Sequence, residues 1–305
     1  MDPRWDDVGV GEFECPDGNL YSVAVLRDAL SMPPSGRFST VQHPAAQVQV
    51  SGDVEYGTAP DHLGNSVSLG LDLYRPPGPA TGQLRPLVIL VHGGGFTRGD
   101  KSTMADEARS YARRGFVAAS IKYRLESRID SDPSLFLPTV VNAIDDAMES
   151  VRWLRANAAT YGIDPGRVVA LGSSAGGAIA LGLAVINDPT PGGPLTAYPT
   201  TLEAAISTGA HLTPAVESGI LTSSADDAPV MLFHFDTDSN NGNTDEYAFQ
   251  TCAAVRESGN TYDFTTQPGS GHTTSLSAGG PWWTSEIGPY LWHHLDLKAS
   301  LEPTP

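Results

Sequence analysis

Ser174 stands in the run Gly172-Ser173-Ser174-Ala175-Gly176, directly after the apolar stretch Val168 to Leu171 and before the small residues Gly177 to Ala180. A strand, a sharp turn and a helix around G-x-S-x-G form a nucleophile elbow, with the serine at its tip. The flanking glycines allow a strained serine backbone and leave room where strand and helix meet. A serine hydroxyl is a weak nucleophile at neutral pH. It needs a histidine to take its proton and a carboxylate to orient that histidine.

In this arrangement the chain order is serine, acid, histidine. The histidine candidate is His272, in Gly269-Ser270-Gly271-His272-Thr273, just after the last apolar strand-like run. His293 and His294 lie inside the final helical segment, and His211 lies beyond an earlier strand, where it faces the pocket in one reading. The acid belongs at the end of the run Val230 to Phe235, where Asp236 and Asp238 both qualify. Asp238 is favoured, because the loop needs a few residues to curl towards the histidine. Asp236 then reads as a solvated or turn-forming aspartate. Asp245 and Glu246 suit a helix N-terminus, where the dipole favours negative charge.

An oxyanion needs backbone N–H groups aimed at the developing charge. Ala175 offers one, and Gly93 and Gly94 in His92-Gly93-Gly94-Gly95-Phe96 offer two more. Phe96, Ser173, His211, Trp282 and Trp283 are the expected pocket residues. Trp282 and Trp283 have a second reading, as anchors of the last helix on the core.

Together, H-G-G-G-F and G-S-S-A-G about 80 residues later resemble the α/β-hydrolase carboxylesterases, near the hormone-sensitive-lipase-like branch and related bacterial esterases. The likeness extends through Gly99-Asp100, Lys122-Tyr123-Arg124-Leu125, Arg152-Trp153-Leu154-Arg155-Ala156-Asn157 and Tyr161-Gly162-Ile163-Asp164-Pro165. It implies a mostly parallel central sheet with helices on both faces and little or no lid domain. It also implies a metal-independent, cofactor-free serine carboxylesterase, with Ser174 as nucleophile and Gly93, Gly94 and Ala175 as oxyanion donors. Relatives often read H-G-x-x-D at the acid; His234-Phe235-Asp236-Thr237-Asp238 again points to Asp238, with Phe235 in place of the glycine. Ser173 stands where many relatives have an acidic residue, and Leu125-Glu126-Ser127 replaces the usual L-A-P. The expected substrates are short-chain or aromatic esters. Bulky or polymeric esters (feruloyl, acetylxylan or polyester) form the second reading, and a catalytically silent binding protein the third.

The elements that must position these groups are legible in the patterning. Val48 to Tyr56 and Val67 to Tyr74 alternate as an antiparallel pair. Leu87 to Val91, Phe116 to Ile121, Ala204 to Thr208, Val230 to Phe235 and Tyr262 to Thr266 read as further strands. Helical spacing predicts helices over Met104 to Arg114, Thr139 to Tyr161, Thr244 to Ser258 and Trp282 to Lys298. Alternating strands and helices imply a parallel sheet covered on both faces. Leu20 to Leu30 is expected as a strand or a short helix. Residues 1–46 read as an N-terminal extension packed on the main domain, 47–299 as one catalytic domain and 300–305 as a tail. The short interval from Ala210 to Pro229 predicts an open or lightly covered site.

The 305 residues carry a net charge of −17, which disfavours nucleic acid and anionic membranes as partners. No stretch approaches the ~20 apolar residues of a membrane helix. The N-terminus lacks the apolar core of a signal peptide, so the expectation is a cytoplasmic protein or a secreted mature form. Cys15 and Cys252 read equally well as a disulfide or as two separate thiols. The expected partner is a small-molecule or polymeric ester; the sequence leaves the oligomeric state open.

Overall fold

The computed structural model describes residues 9–14, 20–25, 31–78, 84–186, 195–220, 222–238, 240 and 245–298. Strands β1 (Gly9–Glu14) and β2 (Leu20–Val25) pair antiparallel in a two-stranded sheet. The main sheet holds β3 (Gln49–Pro60), β4 (Ser66–Arg75), β5 (Arg85–Val91), β6 (Val117–Ile121), β7 (Ile163–Ser173), β8 (Ala204–Thr208), β9 (Val230–Asp238) and β10 (Tyr262–Gly271). Its order is β10-β9-β8-β7-β5-β6-β4-β3. The six strands from β10 to β6 run parallel, and β4 and β3 close one edge antiparallel.

The helices are α1 (Ala105–Ala112), α2 (Phe136–Ala156), α3 (Ala158–Tyr161), α4 (Ala175–Val185), α5 (Thr213–Glu217), α6 (Asp245–Glu257) and α7 (Gly288–His294). Two cores follow from the period-two alternation of the strands. Leu87, Ile89 and Val91 join Val168 and Ala170 under α2, α4 and α6. Val88 and Leu90 join Val169 and Leu171 on the other face, with Tyr111 of α1 and Leu291 of α7. Every side chain from Leu87 to Val91 is fully buried; each such aliphatic contributes roughly 2 kcal/mol of burial free energy. Helix α4 is buried along its whole length, the pattern of a helix with no solvent face. It lies between the sheet and α2, so close that a Cβ on Gly182 would sit 2.4 Å from Ile144 Cδ1.

Arg124, in the turn after β6, ties this layer together. Its Nε and Nη2 donate to the Asp146 carboxylate of α2 at 2.8–2.9 Å, and its Nη1 donates to the Pro60 carbonyl. Burial raises the Asp146 pKa and the Arg124 charge opposes that rise.

Several element bounds differ from the sequence reading. The long helix starts earlier, at Phe136, and stops at Ala156; one separate turn, α3, follows and ends at Gly162 with φ 69°. The segment expected as one helix from Trp282 is a π-turn over Trp283–Ile287 followed by α7. Gly288-Pro289 restarts the helix there, since proline is tolerated only in a first turn. Strands β9 and β10 both run further than their apolar runs, and that extra length carries the site. Residues 26–30 of the first predicted element, and Cys15, lie outside the described residues; Cys252 is buried in α6. Among the described residues no helix is long and apolar enough to cross a membrane.

Candidate active site

The parallel register brings the chemistry-bearing residues to one edge. Val91 pairs with Gly172, Ser173 with Thr208, and Gly271 with Asp238. The carboxyl ends of β5, β7, β8, β9 and β10 therefore converge, and ligands of open parallel sheets bind at this edge. Ser174 sits between β7 and α4 with φ 55° and ψ −125°. This left-handed conformation costs a side-chain-bearing residue about 1–3 kcal/mol. It is held by Ser174 N–H, which donates to the Thr208 carbonyl at 2.8 Å. It also depends on close backbone approach: a Cβ on Gly176 would lie 2.1 Å from the Val91 carbonyl oxygen.

His272 Nε2 lies 2.8 Å from Ser174 Oγ. Its Nδ1 lies 2.9 Å and 2.8 Å from the two carboxylate oxygens of Asp238. Asp238 is 1% exposed and also accepts the Asn240 N–H at 2.8 Å. Two acceptor oxygens facing Nδ1 fix the proton on that nitrogen and leave Nε2 as the acceptor for the serine hydroxyl. His234, buried on β9, places Nε2 3.5 Å from Asp238 Oδ2 while its Nδ1–H donates to the Phe235 carbonyl. Asp236 is exposed on the same strand and meets a different partner, accepting the Gly269 N–H at 3.2 Å. His293 and His294 lie at the end of α7, away from this edge.

The His272 loop leans on Gly209, which follows β8 with φ 63°. A Cβ there would lie 2.1 Å from the His272 carbonyl oxygen. Thr208 Oγ1 adds an anchor, accepting the Thr274 N–H at 2.9 Å. Gly209→Ala should therefore cost about 3 kcal/mol of stability, from backbone strain plus the forced shift of the loop. Displacing the imidazole by even ~1 Å should lower kcat/KM about 100-fold. Melting curves and ester hydrolysis read the two effects separately, and a variant that keeps wild-type values for both would contradict this contact.

Gly93 and Gly94 lie against the elbow. A Cβ on Gly93 would meet the Ser173 carbonyl oxygen at 2.9 Å and Ser174 Cβ at 3.1 Å. Gly94 has φ 129°, and a side chain there would collide with the Arg98 carbonyl at 1.9 Å. The loop is held by two residues to which the sequence reading gave no role. Tyr123 donates its hydroxyl to the His92 carbonyl at 2.9 Å and stacks on the His92 ring at 4.4 Å. His92 Nδ1–H in turn donates to the Gly93 carbonyl at 2.8 Å. The only sequence signal for Tyr123 is its place in the Lys122-Tyr123-Arg124 run after β6.

A cavity of ≈150 Å³ opens beside Ser174 and Ala175. Its lining is largely apolar and includes Phe96, Phe136, Val140, Ala178, Leu212 and Pro214. Phe96 packs edge-on against Phe136 with ring centroids 5.8 Å apart. His211 is the one ionisable side chain in the lining. Burial, and secondly His234, push its pKa down to about 4, with Asp238 opposing. Of the expected pocket residues, Phe96 and His211 line this cavity, while Ser173 ends β7 outside the lining. Of the two readings of the tryptophans, the structure favours anchoring on the core over lining this cavity. Trp283 is 2% exposed in the core on the other face of the sheet, edge-on to Tyr111, with its indole N–H on the Ser39 carbonyl. Trp282 packs on Phe233 and donates to Thr274 Oγ1. The predicted light cover is the short helix α5, whose Pro214 reaches the cavity rim.

Against known proteins, the BD-FAE family profile matches residues 71–205. The carboxylesterase NlhH of Mycobacterium tuberculosis is 35% identical over 122 residues, covering 38% of this chain and 35% of its own length. The chain thus spans well under half the length of the curated relatives it matches. Two structures of esterase 2 from the planctomycete Thermogutta terrifontis superimpose closely. The propionate-bound form has a TM-score of 0.62 at 21% identity, covering 86% of this chain and 98% of that one. The butyrate-bound form has a TM-score of 0.58 at 22% identity, covering 84% and 93%. The fold is that of the α/β-hydrolases, and the sequence resembles bacterial carboxylesterases of that fold, as the motifs implied.

Proposed function

We propose that this chain is a serine ester hydrolase that forms and then hydrolyses an acyl-enzyme, and that its acyl groups are short. The observation carrying this reading is the hydrogen-bonded line from Ser174 Oγ through His272 to Asp238, at the mouth of the cavity. Ser174 Oγ attacks the ester carbonyl carbon and its proton passes to His272 Nε2. The carbonyl π-electrons move onto oxygen, and the N–H groups of Gly93, Gly94 and Ala175 receive that charge. Collapse breaks the bond to the alkoxide, which takes the proton from His272 and leaves as the alcohol. Water then repeats the sequence, and the acyl group leaves as the carboxylic acid.

The leaving oxygen must lie beside His272 to collect its proton. The cavity lining includes Ser174 and Ala175 but not His272, so the cavity is the acyl side and the alcohol faces the open side. The cavity is small, and its wall is lined by Phe96, Phe136 and Val140, which favours short acyl chains. The Thermogutta esterase of the same fold was captured with propionate and butyrate, acids of this size class.

Hydrolysis of p-nitrophenyl esters from acetate to dodecanoate tests the reading. Turnover should peak among the short-chain esters and fall steeply towards dodecanoate. Val140→Phe, which adds bulk to the lining, should move the peak towards acetate. A flat or rising profile to dodecanoate, or activity on polymeric esters alone, would replace this reading with that of a bulky-ester hydrolase. No hydrolysis and no fluorophosphonate labelling of Ser174 would make it a silent binding protein.

A further inference from the structure

The acyl cavity is apolar at every wall but one, and the exception has a fixed proton. His211 follows β8, two residues before α5, and its Nδ1 accepts the Thr213 N–H at 3.3 Å. A neutral imidazole that accepts at one nitrogen carries its proton on the other, so Nε2 is a donor. Tyr247 stacks on the ring at 5.1 Å and limits its rotation. The low pKa of His211 agrees with this geometry, since the ring stays neutral, with the same tautomer, from mildly acidic pH upwards. Among the described residues Nε2 has no protein acceptor, yet it is not among the buried, unsatisfied atoms. Its N–H therefore faces accessible space, and His211 lines the cavity.

An apolar acyl chain gains nothing from this donor and strips water from it. A buried donor left unpaired costs more than a made hydrogen bond returns, and a site built to hydrogen-bond its substrate rejects the analogue that lacks the acceptor. We infer that His211 Nε2–H is a specificity determinant, selecting short acyl groups that carry a hydrogen-bond acceptor such as an oxo, hydroxy or alkoxy oxygen near the chain end. This rests on the ester-hydrolase reading above and narrows its substrate class.

A matched pair of esters tests it: p-nitrophenyl 4-oxopentanoate, with a ketone oxygen, and p-nitrophenyl 4-methylpentanoate, with a methyl group in its place. The same leaving group and the same acyl size isolate the acceptor. The readout is the ratio of the two kcat/KM values in the wild type and in His211→Leu and His211→Gln, each checked for a native melting transition. Comparing variants cancels the intrinsic reactivity difference between the esters. His211→Leu should lower the oxo/methyl ratio about three- to tenfold, the range of one hydrogen bond. His211→Gln, whose amide nitrogen can reach the position of Nε2, should recover most of it. An unchanged ratio in His211→Leu overturns the assignment. So does an equal loss in His211→Gln and His211→Leu. If the wild type hydrolyses neither ester, it is the ester-hydrolase reading that fails. Should His211→Leu not fold, the glutamine variant and His211→Phe carry the comparison.

Discussion

Ser174→Ala should eliminate p-nitrophenyl ester hydrolysis, lowering kcat by about 10⁶, because the acyl-enzyme has no oxygen on which to form. The fold should survive, since the residue is an elbow tip and not a core side chain. Ser174→Gly should lose activity to the same extent yet be the more stable of the two variants. At φ 55° and ψ −125° alanine keeps the strain that serine bears, while glycine has no Cβ to suffer it. The relief of about 1–3 kcal/mol is partly offset by the unfolded-state entropy of glycine, about 0.5–1 kcal/mol. The net gain of about 1 kcal/mol should raise Tm by about 2 °C over Ser174→Ala in a chain of this size. Equal melting points would mean that the elbow holds no strain; hydrolysis by either variant would remove Ser174 from the mechanism.

The elbow was legible because its sequence signature is compact, even though the atom that excludes a side chain at Gly176 is the distant Val91 carbonyl oxygen. Gly172 and Gly176 stand two residues either side of Ser174, and each is demanded by a backbone atom that a Cβ would strike. Leu87 to Val91 and Val168 to Leu171 were legible for a related reason: both faces of the sheet are covered, so the runs are apolar without interruption. The support of the Gly93–Gly94 loop was not legible. Tyr123 reaches His92 across 31 positions of sequence, and no periodicity marks a tyrosine that must do this. Gly209 was invisible for the same reason: its partner, the His272 carbonyl, comes from a strand two places away. Trp282 and Trp283 show the opposite case, two readings between which sequence could not choose. Their closeness in sequence to His272 suggested the pocket, but the chain turns under the sheet after Thr274 and carries both to the other core. Sequence proximity places a residue near an edge of the sheet; only the path of the chain decides which face it meets.

Asp238→Asn should lower kcat about 10⁴-fold and leave binding of the acyl group little changed, whereas Asp236→Asn should stay within about twofold of the wild type. The two residues sit two apart on β9, where strand alternation alone would put them on one face; burial divides their roles, since Asp238 is enclosed and Asp236 is exposed. Asp238 is 1% exposed and presents both oxygens to His272 Nδ1; Asp236 is exposed and holds the Gly269 N–H. An asparagine at 238 keeps the shape but offers one acceptor oxygen and one NH₂. If the NH₂ faces Nδ1, the imidazole proton must move to Nε2, where it blocks transfer from Ser174 Oγ. If the oxygen faces Nδ1 instead, the tautomer is kept but the negative charge that stabilises the imidazolium is gone, and the NH₂ opposes the Asn240 N–H that Asp238 accepts. Either orientation slows the proton transfer and not the docking of substrate, so the loss should appear in kcat and not in KM. A large effect of Asp236→Asn with a small one of Asp238→Asn would reverse the assignment. It would also require the β9–β10 register, in which Gly271 pairs with Asp238, to shift by two residues, which would bring Asp236 opposite that position and set His272 beside the exposed carboxylate.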